Sequence, residues 1–305
     1  MANYAEIITK IYNDTLAIKD KGSLATYISE LANTDSNKFG VYITTVDDAS
    51  FGIGDYLESF SIQSIVKVLS LAIAYKLFGE DIWKRVDVEP SGNSFNSLIQ
   101  LEADNGIPRN PFINAGAIVT SDILLSYLPD TRKYFLDFIR ELAGNDDLDY
   151  CERIADSEWA TGYRNIAICN FLKSFDNIQN DPNEVLDLYF NLCSIEVNCK
   201  DLSNIFSLFA NEGRMLNKNK QVLTKSQTKR INAIMQTCGF YDQSGDFAFR
   251  VGLPGKSGVG GGIVAIHPER YAITTWSPKL NEKGNSYRGM YFLENFTTET
   301  EFSIF

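Results

Sequence analysis

Apolar residues recur at helical spacing at Ile7, Ile8, Ile11, Tyr12 and Leu16, which predicts an amphipathic N-terminal helix, and Leu24 to Leu31 predicts a second, short one. The period then changes. Phe39-Gly-Val-Tyr-Ile-Thr-Thr-Val46 is rich in β-branched and aromatic residues, and Asp47-Asp48 turns it into a second run near Phe51 to Gly54, so a hairpin is expected. From about 61 to 240 the signals are almost all helical, with helices predicted at 64 to 78, 115 to 127, 132 to 143, 152 to 173, 183 to 193, 201 to 213 and 225 to 237. Strand patterns return at Ala248 to Val251, Gly261 to Ile266 and Tyr271 to Trp276. The last two are joined by a turn at His267-Pro268-Glu269-Arg270, and a C-terminal helix is expected from about Tyr287. Val86 to Pro111, with Pro90, Gly92, Gly106 and Pro108, is the longest irregular stretch and a candidate border of a site.

Strands at both ends with helices between them imply that the termini share one sheet. The predicted fold class is α+β: a helix-flanked antiparallel sheet built from residues 1–60 and 241–305, with an inserted all-helical domain at 61–240. An active site is expected in the cleft between the two.

Composition narrows the function. Across 305 residues, 28 Lys plus Arg stand against 39 Asp plus Glu, a formal charge of −11, which disfavours nucleic acid and anionic membrane surfaces as partners. The densest basic run, Lys218 and Lys220, reads as a solvated turn. One histidine, His267, and no C-x-x-C pair argue against a metal site. Five scattered cysteines (Cys151, Cys169, Cys193, Cys199, Cys238) fit free thiols in a reducing compartment. The N-terminus lacks the basic start and apolar run of a signal peptide, and the most apolar helix candidate, Ser64 to Phe78, is interrupted by Lys67 and Lys76. A soluble, cytoplasmic protein is expected.

Two segments could carry chemistry. In Ser64-Ile65-Val66-Lys67 the hydroxyl and the ammonium lie three residues apart at a helix start, on one face. Ser226-Gln-Thr-Lys229 has the same spacing, but Lys225 and Arg230 mark it as an exposed face. Lys67 instead sits within Ile65, Val66, Val68, Leu69, Leu71, Ala72 and Ile73, where burial disfavours the cation and favours the neutral amine, the only form that is a base. Spacing and context leave two readings, a catalytic lysine or a snorkelling one. The second segment, Gly255-Lys-Ser-Gly-Val-Gly-Gly-Gly262, is not a P-loop: Arg250 stands where that motif needs its first Gly, and a strand follows rather than a helix. Its glycines allow a ligand close to the backbone and leave peptide N–H groups for an oxyanion; a plain Gly-rich bend is the other reading. His267, between an apolar strand and Pro268, reads as a turn residue, which argues against a Ser-His-Asp triad, and a serine nucleophile would have to use Lys or Tyr.

These motifs carry a resemblance. Phe60-Ser-Ile-Gln-Ser-Ile-Val-Lys67, Glu89-Pro-Ser-Gly92, Phe95-Asn-Ser-Leu98, Asn110-Pro-Phe-Ile-Asn-Ala-Gly-Ala117, Tyr189-Phe190 with Cys193-Ser-Ile195, and Tyr241-Asp242 with Phe247 to Gly262 run in the order found in the serine-dependent glutaminases. The chain resembles that family from about Tyr27 to Trp276, and with it the fold of serine β-lactamases and penicillin-binding proteins. The resemblance implies hydrolysis of L-glutamine to L-glutamate and ammonia, without a metal or organic cofactor, by a homodimer or homotetramer. It implies Ser64 as nucleophile, Lys67 as its base, Tyr189 as a second proton-transfer group, and the N–H groups of Ser64 and Val259 as the oxyanion hole. The implied substrate contacts are Tyr27, Gln63, Ser64, Asn114, Glu158, Asn165, Tyr189, Tyr241 and Val259, with Glu158 pairing the α-ammonium. Two positions depart from the pattern, Val66 where Ser is frequent and Ser29 where Pro is frequent, and both only flank the implied groups. Two rivals on the same fold remain: penicillin hydrolysis, which the acidic Glu158 disfavours, and a penicillin sensor that acylates without turnover.

Overall fold

The alternation in the terminal segments folds into one antiparallel sheet. The computed structural model describes residues 4–26, 29–47, 49–92, 98–216 and 218–305. In chain order its elements are α1 (Tyr4–Ala17), α2 (Ser29–Ala32), β1 (Gly40–Thr45), β2 (Ser50–Gly54), β3 (Phe60–Ser61), α3 (Val66–Phe78), α4 (Leu98–Ala103), α5 (Asn114–Tyr127), α6 (Thr131–Ala143), α7 (Glu152–Thr161), α8 (Tyr163–Ser174), α9 (Pro182–Ser194), β4 (Glu196–Val197), α10 (Cys199–Ala210), α11 (Lys225–Cys238), α12 (Ser244–Arg250), β5 (Gly255–Ser257), β6 (Gly262–His267), β7 (Tyr271–Trp276) and α13 (Tyr287–Thr300). Short 3₁₀ turns occupy Gln63–Ile65, Gly79–Lys84 and Tyr241–Gln243.

The main sheet has the order β2-β1-β7-β6-β5, so the N-terminal hairpin joins the C-terminal strands through β1 and β7, with Gly40 opposite Trp276. Successive side chains point to opposite faces. Val41, Ile43, Ile263, Ala265, Tyr271 and Ile273 meet α1 and α13, whereas Tyr42, Val264, Ile266, Ala272 and Trp276 join the core of the helical block. Both faces are covered, which is why these strands read as nearly continuous apolar runs. The second face is covered chiefly by α10, anchored by Ser203 Oγ donating to the Ala272 carbonyl at 2.8 Å and Thr44 Oγ1 donating to Asn204 Oδ1 at 2.8 Å.

The α+β class and the antiparallel sheet drawn from both chain ends are present as predicted. Several local expectations are corrected. Ala248 to Val251 is not a strand; its first three residues belong to α12, where Phe247 is buried and stacked on Phe240 while Phe249 is 90% exposed, a helical and not a strand arrangement of faces. The single helix expected over 152–173 is two, broken at Gly162. A Cβ at Gly162 would stand 2.7 Å from the Phe190 ring and 2.6 Å from the Glu158 carbonyl, so only glycine fits the junction. Ser64 lies in a 3₁₀ turn before α3 rather than in the α-helix itself, and Gly255–Ser257, read as loop, pairs as the edge strand β5. The irregular stretch 86–111 contains α4. Among the described residues no helix is long and apolar enough to cross a membrane.

Candidate active site

The site begins where β3 leads into α3. Every residue from Phe60 to Tyr75 is buried except Ser64, which is half-buried and so the one group of this segment offered to a ligand. Gln63 before it has φ of 49°, a left-handed backbone that turns the chain sharply into the helix. The Gly-rich segment lies directly against this turn: a Cβ at Gly258 would stand 2.8 Å from the Ile62 carbonyl, and one at Gly260 2.4 Å from the Ser61 carbonyl. The glycines therefore serve close backbone approach. Val259 between them donates no backbone hydrogen bond among the described residues, leaving its N–H for a ligand.

Lys67, the second residue of α3, is 1% exposed. Its Nζ donates to Asn114 Oδ1 at 2.6 Å and to the Phe112 carbonyl at 3.3 Å, and lies 5.9 Å from the centre of the Tyr189 ring. Burial pushes its amine down to about 8, opposed by Cys193 and Glu158. Both of its hydrogen-bond acceptors are neutral, so the amine is held in place without an ion pair that would fix it as a cation. No Ser64–Lys67 hydrogen bond forms among the described residues. Ser64 and Ser257 instead face the Tyr241 hydroxyl, whose acidity burial weakens, pushing it up to about 12 against the opposing influence of these two neighbours.

Around this centre the helices deliver the remaining groups. Asn114, the first residue of α5, donates from Nδ2 to Asn165 Oδ1 at 2.9 Å, so Lys67, Asn114 and Asn165 form one chain. Glu158 is in the last turn of α7 and Asn165 in the first turn of α8. In one straight helix seven residues would separate them by about 10 Å along the axis; the break at Gly162 brings both toward the site. Burial raises the Glu158 carboxyl above its ordinary value, opposed by a hydrogen bond from Gln63 and the charge of Lys67. Tyr189 on α9 is pushed well above the usual phenol range by burial, then by Cys193 and Glu158, so it stands as a hydrogen-bond donor rather than a phenolate. Tyr241 and Val259 line a cavity of about 450 Å³ together with Ala25 and Leu280.

The structure thus brings together Gln63, Ser64, Lys67, Asn114, Glu158, Asn165, Tyr189, Tyr241 and Val259. Tyr27 lies outside the described residues. His267 sits at the opposite end of β6 from the glycines, its Nδ1 2.7 Å from the Pro268 carbonyl. No cluster of three or more potential metal ligands occurs among the described residues.

Two groups here had no assigned role from sequence. Lys256 on β5 is fully buried, donates to the Ser257 carbonyl at 2.7 Å and lies 4.6 Å from the centre of the Tyr241 ring. Burial, and then repulsion from Lys67, push its amine well below the ordinary lysine range. Its signal was a lysine in an otherwise uncharged segment beside a predicted strand. Cys193, four residues after Tyr189 on α9, is its neighbour in the site; burial pushes its thiol up to about 12, so it stays a neutral polar group.

A family model described as glutaminase matches residues 22–305. A glutaminase of Christiangramia forsetii is 54% identical over 304 residues, covering 99% of this chain and 100% of that protein. One from Saccharophagus degradans is 56% identical over 303 residues, covering 99% of each. Among solved structures, the probable glutaminase YbaS superposes with a TM-score of 0.94 at 32% identity, covering 99% of this chain and 98% of that one.

Proposed function

Since this chain belongs to the glutaminase family, we propose that it hydrolyses the side-chain amide of L-glutamine through an acyl intermediate on Ser64. The observation that carries this reading is the pairing of a half-exposed serine with a wholly buried lysine whose amine is pushed down to about 8. Glutamine enters with its ammonium at Glu158 and its carboxylate among Asn114, Asn165 and the tyrosines, including Tyr27. Ser64 Oγ bonds to the amide carbon while neutral Lys67 takes the hydroxyl proton. The tetrahedral oxyanion is held by the N–H groups of Ser64 and Val259, the first at a helix start where the dipole favours negative charge. The C–N bond then breaks, the nitrogen gains a proton through Tyr189 or Lys67, and ammonia leaves. Water attacks the glutamyl ester, returns a proton to Ser64 and releases glutamate.

Every proton and charge in this sequence is handled by side chains or peptide groups, so the reading calls for no metal or organic cofactor. The residues come from both parts of the chain: Ser64, Lys67, Asn114, Glu158, Asn165 and Tyr189 from 61–240, Tyr241 and Val259 from 241–305. This supports a division into a sheet unit (1–60 with 241–305) and a helical unit with the site between them. A cytoplasmic homodimer or homotetramer belongs to the same proposal.

The test is ammonia release from L-glutamine and L-asparagine alongside opening of a chromogenic β-lactam, with acid-quench mass spectrometry of the Ser64 peptide. Glutamine-dependent ammonia and a glutamyl mass on Ser64 are expected. Ser64→Ala should abolish turnover and keep measurable glutamine binding; retained turnover, or an adduct elsewhere, would sink Ser64 as nucleophile.

A further inference from the structure

Tyr241 opens its 3₁₀ turn with φ of 56°, a left-handed backbone that bulky residues avoid unless their surroundings impose it. Part of the constraint is local: Ser244 Oγ accepts from the Phe240 N–H at 3.0 Å and donates to the Tyr241 carbonyl at 3.3 Å. The rest comes from the loop that follows β7. Gln243 Oε1 accepts from Asn281 Nδ2 at 3.1 Å and from the wholly buried Asn285 Nδ2 at 2.8 Å. Its Nε2 donates to Asp246 at 2.9 Å, so flipping the amide would set donor against donor and forfeit all three bonds. Asn281 in turn shapes the loop, its Oδ1 accepting from the Lys283 N–H at 2.9 Å and the Asn285 N–H at 3.1 Å. On the outside, Lys283 pairs with Asp242 at 2.5 Å, an exposed contact of small weight. The crown of the loop reaches the site: a Cβ on Gly284 would lie 3.9 Å from both the Tyr241 ring and Val259.

We propose that Gln243 is a positioning residue for glutamine hydrolysis: by accepting from Asn281 and Asn285 it clamps the Tyr241 turn to the loop after β7 and keeps the Tyr241 hydroxyl facing Ser64. The inference rests on the reading of Tyr241 as part of the substrate site. Gln243 touches no substrate itself. Its amide ties a strained turn to a buried anchor, so loss of the amide frees the turn to relax and withdraw the hydroxyl.

Steady-state ammonia release and melting temperatures of wild type, Gln243→Met, Tyr241→Phe and the double variant test this. Methionine keeps the length of the side chain and removes both amide groups. Gln243→Met is expected to lower kcat about tenfold or more while KM stays within about threefold and melting shifts by only a few degrees. In the Tyr241→Phe background the same change should alter kcat less than about twofold, because its effect runs through the hydroxyl already removed. Native kcat in Gln243→Met overturns the proposal, as does an undiminished effect in the Tyr241→Phe background, which marks a role unconnected with Tyr241. Native kcat in Tyr241→Phe overturns it by a different route, by removing the role of Tyr241. Should Gln243→Met fail to fold, Asn281→Ser removes one of the two donors and is held to the same criteria.

Discussion

Lys67 shows how one side chain links burial to chemistry. A lysine free in water would be protonated at neutral pH and useless as a base; full burial against neutral acceptors pushes the amine of Lys67 down to about 8. Only the neutral amine takes the Ser64 proton. Below its pKa the neutral fraction falls about tenfold per pH unit, so kcat/KM should rise with pH through about 8 and level off above it. Initial rates from pH 6 to 10 check this; a flat profile would remove Lys67 as the base, and a midpoint near the ordinary lysine value would show that burial does not act on the free enzyme. Lys67 was legible in sequence because seven apolar neighbours surround it at a helix start. Lys256 was not, because glycines give no periodicity from which burial could be read. The approach of Tyr241 to Ser64 was equally invisible, since it brings together residues far apart in the chain.

At the scale of elements, the site depends on α5, α7 and α8 keeping their mutual alignment, since Asn114 on α5 must meet Asn165 on α8. Asp122, about two turns along α5 from Asn114, is the group that fastens it: wholly buried, it pairs with Arg85 at 2.6 Å and accepts from the backbone N–H groups of Gln179 and Asn180 at 3.0 and 2.8 Å, in the segment after α8. Removing it strands a largely buried guanidinium and two peptide donors. Asp122→Ala should therefore cost about 3–5 kcal/mol of stability, read as a shift of the urea midpoint, with Asp122→Asn less damaging because one acceptor oxygen remains. A loss under about 1 kcal/mol, the worth of an exposed pair, would show that the network does not fasten α5. The strongly periodic helices and the β6–β7 pair were legible from pattern alone. The break at Gly162 was not: the apolar period runs on across it, and the cause is the Phe190 ring on α9, a tertiary contact that leaves no local trace beyond a glycine.

For the molecule as a whole, the question is whether the inserted helical block could stand alone. Its last long apolar helix before α11 argues against it. On α10, Leu202, Ile205, Phe206 and Phe209 are buried, and the helix packs on β1, β6 and β7 as the second layer of the terminal sheet. Polar ties cross the same boundary, including Ser203 to Ala272 and the Glu269 N–H to the Ala210 carbonyl at 2.8 Å. The sheet in turn is incomplete without both termini, because β1 lies between β2 and β7. Neither part can unfold while the other keeps its buried surface, so the chain should melt in a single calorimetric transition. Residues 61–240 expressed alone would expose the sheet-facing side of α10 to water, an apolar area large enough to drive collapse without fixed packing or self-association. Near-ultraviolet circular dichroism should find helix but no fixed aromatic environment in that fragment. Two separated transitions in the full chain, or a sharply melting fragment with native aromatic signals, would show instead that the helical block folds independently and that the site forms by docking of two preformed units.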